Sequence, residues 1–345
     1  MLREPAKPPP ADQAGEHKTR AGLSMTDAMR TSVSDGTDAV YERGWRRFAA
    51  YCDEIEIDPL AATPEDVGNF LVKMGSGPEP EDARGPAERP LGVGTLRIVL
   101  AGINRRYHEA GRAPPTRDGR VTSVLQGLRR LSGGPPRQVK ALREYEIAQM
   151  LSHCEMLAAQ ESFRHIATRD SAMIAIGFAA ALRRSEICRL EFGDLQFLDK
   201  AGVPVGMFLH IRRSKTDQFG EGQKIPIPEG KSLRPVARLR EWLALSGTDS
   251  GPVFQTMRRG GVLLGRALHP SDIGRVVKQY VSAIGLDPSD YAGHSLRSGF
   301  VTSAAAHGAR MEKIMEVTRH TSPRMVMRYI REAEAFEDHA GAAFL

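Results

Sequence analysis

Gly293-His294-Ser295-Leu296-Arg297-Ser298-Gly299 and, further on, His320-Thr321-Ser322-Pro323-Arg324-Met325-Val326-Met327-Arg328-Tyr329-Ile330-Arg331 lie near the end of a 345-residue chain. Ser295 reads as the N-cap of a helix whose buried face is Leu296, Phe300 and Ala304. His294 and Arg297 then sit together at a helix N-terminus, where free N–H groups and the dipole favour an anion. Thr321 or Ser322 with Pro323 starts a further helix, and Tyr329 falls two turns into it between Val326 and Ile330. Two histidines, an arginine and a tyrosine are thus surplus to folding. Singly they are weak signals, because a tyrosine in an apolar helix is ordinarily core. Together they are able to hold an anion and offer it a phenol.

Upstream, Leu182-Arg183-Arg184-Ser185-Glu186-Ile187-Cys188-Arg189-Leu190 has a buried face at Ile187 and Leu190 with Arg183 beside it. A guanidinium placed there needs an anion. Either an internal carboxylate, Glu186 or Asp194, or an external ligand satisfies it, and both readings stay open. Arg212-Arg213-Ser214-Lys215-Thr216-Asp217 follows a strand read at 207–213 and leads to a second at 223–228. A lysine on such a hairpin ordinarily serves solubility. His294, His307 and His320 lack a carboxylate or cysteine at ligand spacing, so a metal site is not expected.

The rest of the chain supplies context. Residues 1–36 read as a flexible tail. Residues 37–131 read as a small helical domain with stripes at Tyr41, Trp45, Phe48, Cys52 and Ile55, then Val67, Phe70, Leu71 and Met74, then Leu96, Leu100, Ile103 and Tyr107, then Val121, Leu125, Leu128 and Leu131. Thr63-Pro64 starts the second of these helices. Residues 132–141, with Gly133-Gly134-Pro135-Pro136, form the linker. Residues 142–345 read as a second, mostly helical domain with helices near 142–154, 161–182, 234–246, 271–284, 295–307, 310–318 and 323–333, followed by a tail from about 333.

Charge is unevenly spread. Residues 35–82 carry a net charge of −8 and residues 89–140 one of +9, within a chain of net charge +6. A basic block of that size suits a phosphate backbone. Only ten of the 48 basic residues are lysines, and arginine's planar fork suits bidentate phosphate contacts. The three cysteines are widely separated, no apolar run reaches the roughly 20 residues of a membrane span, and no signal-peptide pattern opens the chain. A reduced, cytoplasmic setting is expected.

Taken in order, the Arg, the hairpin Lys, His-x-x-Arg, His and Tyr after a basic helical module resemble the tyrosine recombinase (phage integrase) family, in its simple Cre-like and Xer-like form. Leu-Arg-Arg-Ser-Glu-Ile, Arg-Ser-Lys-Thr, Gly-His-Ser-Leu-Arg-Ser-Gly and Val-Met-Arg-Tyr-Ile-Arg carry the likeness, which extends from about residue 37. The resemblance implies a mainly α fold, with an N-terminal helical core-DNA-binding (SAM-like) domain and a C-terminal catalytic domain that is rich in helices and holds a small antiparallel β-sheet. It implies a site-specific DNA recombinase that cuts and rejoins strands through a 3′-phosphotyrosyl intermediate, with no cofactor, ATP or metal. Tyr329 then matches the nucleophile, Arg183 and Arg297 the phosphate clamp, Lys215 the general acid and His294 the acid/base assistant. His320 matches a hydrogen-bond donor to the phosphate, and Glu186 a residue that orients the cations. Arg43, Arg46, Arg97, Arg105, Arg106, Arg129, Arg130, Arg258, Arg259 and Arg266 are the implied DNA contacts. The expected partners are a double-stranded recombination site and further copies of the chain, as a homotetramer on two sites joined through the C-terminal tail, in a bacterial or phage setting. A type IB topoisomerase-like enzyme, a telomere resolvase and a DNA-binding protein without catalysis remain as alternatives.

Overall fold

The four apolar stripes of the N-terminal region fold as helices α1 (Asp35–Glu54), α2 (Pro64–Ser76), α3 (Val93–Glu109) and α4 (Gly119–Leu131). The computed structural model describes residues 35–76, 90–132, 138–212, 222–258 and 260–333. The chain divides into two compact units, Met1–Pro136 and Arg137–Leu345.

In the first unit Phe48, Cys52, Val67, Phe70, Leu71, Leu96, Ile103 and Val121 are fully buried and form one core. Side chains recurring at i, i+3 and i+4 point to one face, so each helix contributes a stripe to that core. The α2 start is as the sequence predicts: the Asp66 N–H donates to Thr63 Oγ1 (3.2 Å) and the Thr63 N–H to Asp66 Oδ2 (2.8 Å). This reciprocal bonding satisfies two otherwise free donors. A Cβ at Gly102 would lie 2.4 Å from the Tyr41 carbonyl, so only glycine lets α3 approach α1 this closely. Tyr107 reaches out of α3 to donate its hydroxyl proton to the Pro59 carbonyl at 2.9 Å.

The second unit is built around α6 (Arg164–Ala179), which follows α5 (Glu144–Ala158) and is buried on all sides from Ala172 to Phe178. The sequence suggests a longer helix, 161–182. The backbone instead leaves the helix at Ala180, and Ala181 takes a left-handed conformation with φ 47°. The short helix α7 (Arg184–Arg189) follows at once. Strands β1 (Leu195–Lys200), β2 (Val203–Ile211) and β3 (Gln223–Pro228) form an antiparallel sheet in that order. Met207, Leu209, Ile225 and Ile227 face the core, with Leu209 opposite Ile225 and Met207 opposite Ile227. β2 runs to Ile211, and Arg212 beyond it pairs with Asp194 (2.6 Å) and Glu191 (2.8 Å), while residue 213 of the expected strand lies outside the described residues.

Helix α8 (Pro235–Ser246), the small hairpin β4 (Gln255–Met257) and β5 (Leu263–Ala267), and α9 (Pro270–Ala283) complete the main core. Helices α10 (His294–Ala306), α11 (Met311–Thr318) and α12 (Pro323–Ala333) close the described chain. A Cβ on Gly299 of α10 would lie 1.7 Å from the Leu142 carbonyl, so this glycine lets α10 press against the segment entering α5. Helix α12 packs on α10 and α11 through a separate small cluster of Val301, Ala305, Ile314 and Val326, against which Tyr329 is laid. The fold is mainly α with small antiparallel sheets. No described helix is long and apolar enough to cross a membrane.

Candidate active site

The turn between α6 and α7 brings the chemistry together. Its carbonyls, at the negative end of the α6 dipole, need donors, and buried guanidinia supply them. Arg297, fully buried on α10, donates from Nη1 to the Ala181 carbonyl at 2.7 Å and from Nη2 to the Thr318 carbonyl. Arg319 donates to Val317 (2.9 Å), Ala180 (3.3 Å) and Ala181 (3.5 Å).

Glu186 is the carboxylate of this cluster. Its Oε1 accepts from Arg183 Nη1, and its Oε2 from Arg319 Nη2 and the Arg183 backbone N–H, all at 2.7 Å. The internal salt bridge that the sequence left open for Arg183 is therefore present, through Glu186, whereas Asp194 is taken by Arg212. Arg183 retains 20% side-chain exposure against 2% for Glu186 and Arg319, so of the three it faces outward. Arg297 makes no direct ion pair among the described residues. Burial, then Arg183 and Arg319, push its guanidinium below the usual arginine range, while Glu186 and the phenol of Tyr329 oppose that. Three guanidinia thus gather near one carboxylate, which pairs with two of them. An anion relieves a buried excess of positive charge of this kind.

Both histidines lie in the same field. Burial, then Arg297, Arg183 and Arg184, hold the His294 imidazole below the ordinary histidine value, although its side chain is open to solvent at the mouth of the cluster. For His320 burial, Arg297, Arg183, His294 and Arg319 lower it to about 4. The Nδ1 of His320 is 2.8 Å from the hydroxyl of Thr318, which itself donates to the Ile314 carbonyl at 2.6 Å. Tyr329 sits half-buried on α12, near enough to Arg297 to act electrostatically on its guanidinium. Arg183, Glu186, His294, Arg297, His320 and Tyr329 are accordingly in one electrostatic neighbourhood. His307 instead bonds the Ser303 carbonyl, and no group of three metal-ligating side chains forms among the described residues.

Residues 140–335 match the model of the phage integrase family. The chain belongs to that family. It is a tyrosine recombinase, a DNA strand-transferring enzyme that acts site-specifically. It is 31% identical over 328 residues to an integrase/recombinase xerD homolog of Selenomonas ruminantium, covering 94% of this chain and 90% of that one. It is also 26% identical over 338 residues to the Cre recombinase of Escherichia phage P1, covering 90% and 91%. Its fold matches a lambda integrase dimer bound to a COC′ core site, with TM-score 0.53 and 16% identity over 86% of this chain and 89% of that one. It matches XerH bound to palindromic difH with TM-score 0.55 and 16% identity, over 82% and 73%.

Other residues of interest in this recombinase fall in different settings. Lys215 and Arg259 lie outside the described residues. Arg43, Arg46, Arg97, Arg129, Arg130, Arg258 and Arg266 are exposed, Arg46 beside Glu42 (3.2 Å) and Arg266 beside Thr256 (3.3 Å). Arg105 is held by Asp38 and by Glu109 (2.9 Å), and Arg106 by Glu42 and by Glu109 (3.1 Å). Two members of the cluster escape sequence reasoning. Arg319 resembles an ordinary basic residue at a helix end, yet it holds a left-handed conformation with φ 58° and is 5% exposed. Thr318 carries no sequence signal at all.

Proposed function

We propose that Arg183, Arg297 and His320 hold the scissile phosphate, with His294 and Lys215 moving protons, while the Tyr329 hydroxyl attacks phosphorus. The attack forms a 3′-phosphotyrosyl bond and expels the 5′-oxygen, which Lys215 protonates. The observation that carries this reading is the cluster of three guanidinia around the single carboxylate of Glu186, beside the phenol of Tyr329. Negative charge builds on the non-bridging oxygens during phosphoryl transfer, and preorganised cations in a partly dry site stabilise it strongly. A tyrosine of pKa about 10 needs such a field, or a base, to act as a nucleophile near neutral pH. Glu186 orients the cations. The phosphotyrosyl bond conserves the energy of the phosphodiester, so the free 5′-hydroxyl reverses the step without ATP.

The DNA partner is a duplex recombination site, gripped by the exposed arginines of the first unit together with Arg258, Arg259 and Arg266. Four copies act on two sites, joined through the tail after residue 333, in the cytoplasm of a bacterial host. Deleting residues 334–345 is expected to impair assembly and strand exchange more than single-site binding, and equal loss of all three would sink the tail's role. The chemistry is tested on DNA protected by the protein upstream of its own gene, nicked near the cleavage point so that the cut strand escapes. Wild type is expected to leave a covalent protein–DNA adduct and Tyr329→Phe none. An adduct that persists in Tyr329→Phe removes Tyr329 from the role.

A further inference from the structure

The hydroxyl of Thr318 lies between two groups that compete for its single proton. It is 2.6 Å from the Ile314 carbonyl oxygen and 2.8 Å from His320 Nδ1. Two oxygens at the shorter distance repel unless a proton lies between them, and the carbonyl has none to give. The Thr318 proton therefore points at Ile314, and toward His320 the hydroxyl is left with lone pairs only. The proton of that second contact must sit on Nδ1. In the neutral imidazole the other nitrogen, Nε2, then carries a lone pair and repels a phosphate oxygen.

We propose that the Thr318 hydroxyl is a positioning group for strand cleavage: it fixes His320 as the Nδ1–H tautomer, so that Nε2 donates to a phosphate oxygen only in the imidazolium form, and phosphate capture takes up one proton. This rests on the phosphate-holding reading of the cluster. The proton comes from solvent and goes to Nε2, and no other bond changes.

The surroundings support the same sequence of events. Facing His320 are Arg183 with its partner Glu186, then His294 and Arg297 of α10, and Arg319 of its own turn. On α11 Lys313 and Glu316 are paired with each other at 2.7 Å, and on α12 Arg324 and Arg328 are exposed, with Tyr329 beyond Arg297. The uncompensated charges near the ring are positive, which keeps the imidazole neutral in the empty site. A bound phosphodiester reverses the local field and favours the imidazolium. Thr318 serves both states, because Nδ1–H donates to it in each. The histidine value is thus low when the site is empty and raised when phosphate is bound. Capture weakens as pH rises through the raised value. The backbone carbonyl of Thr318, which Arg297 uses, is a separate contact that a side-chain change leaves in place.

The test begins with nitrogen NMR of histidine- and arginine-labelled protein at about pH 6.5, near the ordinary histidine value, with His320 assigned by its loss in His320→Trp and Arg297 by its loss in Arg297→Lys. The expected state is neutral with the proton on Nδ1; a proton on Nε2 overturns the proposal. Excess dimethyl phosphate, a monoanionic phosphodiester, is expected to protonate both ring nitrogens. If dimethyl phosphate shifts the Arg297 signals while His320 stays neutral, the tautomer proposal fails and the phosphate site stands. If it shifts neither, the phosphate reading itself fails. In cleavage assays Thr318→Val is expected to lower the rate about tenfold, the scale of one buried hydrogen bond. It should also flatten the decline toward alkaline pH, since either neutral tautomer becomes available. Thr318→Ser keeps the hydroxyl and is expected to restore the wild-type profile. His320→Trp carries a permanent N–H donor and is expected to cleave without that decline. A wild-type pH profile in both Thr318→Val and His320→Trp overturns the proposal.

Discussion

Arginines in the two units are treated in opposite ways. In the first unit Arg105 and Arg106 are matched by Asp38, Glu42 and Glu109, and Arg97, Arg129 and Arg130, with no carboxylate partner among the described residues, stand in solvent. In the second unit Arg297 and Arg319 are buried and Arg183 is partly so, and the one carboxylate among them, Glu186, pairs with Arg183 and Arg319 but not with Arg297. Exposed charge is cheap, and where no carboxylate balances it, it serves long-range attraction to a polyanion. Buried, unbalanced charge is costly, and it persists where a bound anion completes it.

That contrast is most directly broken at Arg297. Arg297→Lys removes the planar fork while keeping the charge, and strand cleavage is expected to fall by about two to three orders of magnitude, read as the single-turnover rate of adduct formation. Glu186→Gln comes next. It takes away the shared counter-charge and leaves the guanidinia of Arg183 and Arg319 without their carboxylate, so chemical denaturation is expected to show a loss of about 3 kcal/mol. An unchanged midpoint would mean that Arg183 and Arg319 find other partners. In the first unit the expected effects are smaller. Arg129→Ala and Arg130→Ala are each expected to reduce the salt dependence of DNA binding by about one counterion. Arg105→Ala and Arg106→Ala should leave that slope alone and cost stability instead, by about 0.5–1 kcal/mol. The reverse pattern would mean that the ion pairs open on DNA. The smallest expected effect is at Thr63, an exposed N-cap, where Thr63→Ala costs about 0.5 kcal/mol in chemical denaturation.

Much of this was legible in the sequence because it follows periodicity. The helix carrying Tyr329 begins at Pro323 as the sequence places it, whereas the helix carrying His294 and Arg297 begins at His294, with Gly293 rather than Ser295 at its N-cap. The first sheet strand was not legible. β1 joins β2 through Ala201 and Gly202, both at positive φ (50° and 78°), and an alanine is a poor signal for such a turn. β1 itself is also mostly exposed, so it lacks the alternation that marks a half-buried strand. The helix read at 161–182 was overlong because nothing in Ala179-Ala180-Ala181 announces a break. The break is set from afar, by the arginines that need those carbonyls. Arg319 was invisible for the matching reason: an arginine closing a helix ordinarily serves the dipole in solvent. Its partner, Glu186, is remote in sequence.

The small cluster under α12 has a consequence of its own. The arginines are anchored to the large core around α6, but Tyr329 stands on a helix packed on a separate small cluster centred on Val301, Ala305, Ile314 and Val326. Amide hydrogen exchange in α12 is expected to outrun that in α6, whose residues open only when the whole unit does. Helix α12 can therefore loosen before α6 and the arginines do, so under the proposed chemistry commitment to attack is governed by the seating of one short amphipathic helix, and after attack the joined strand end moves with Tyr329.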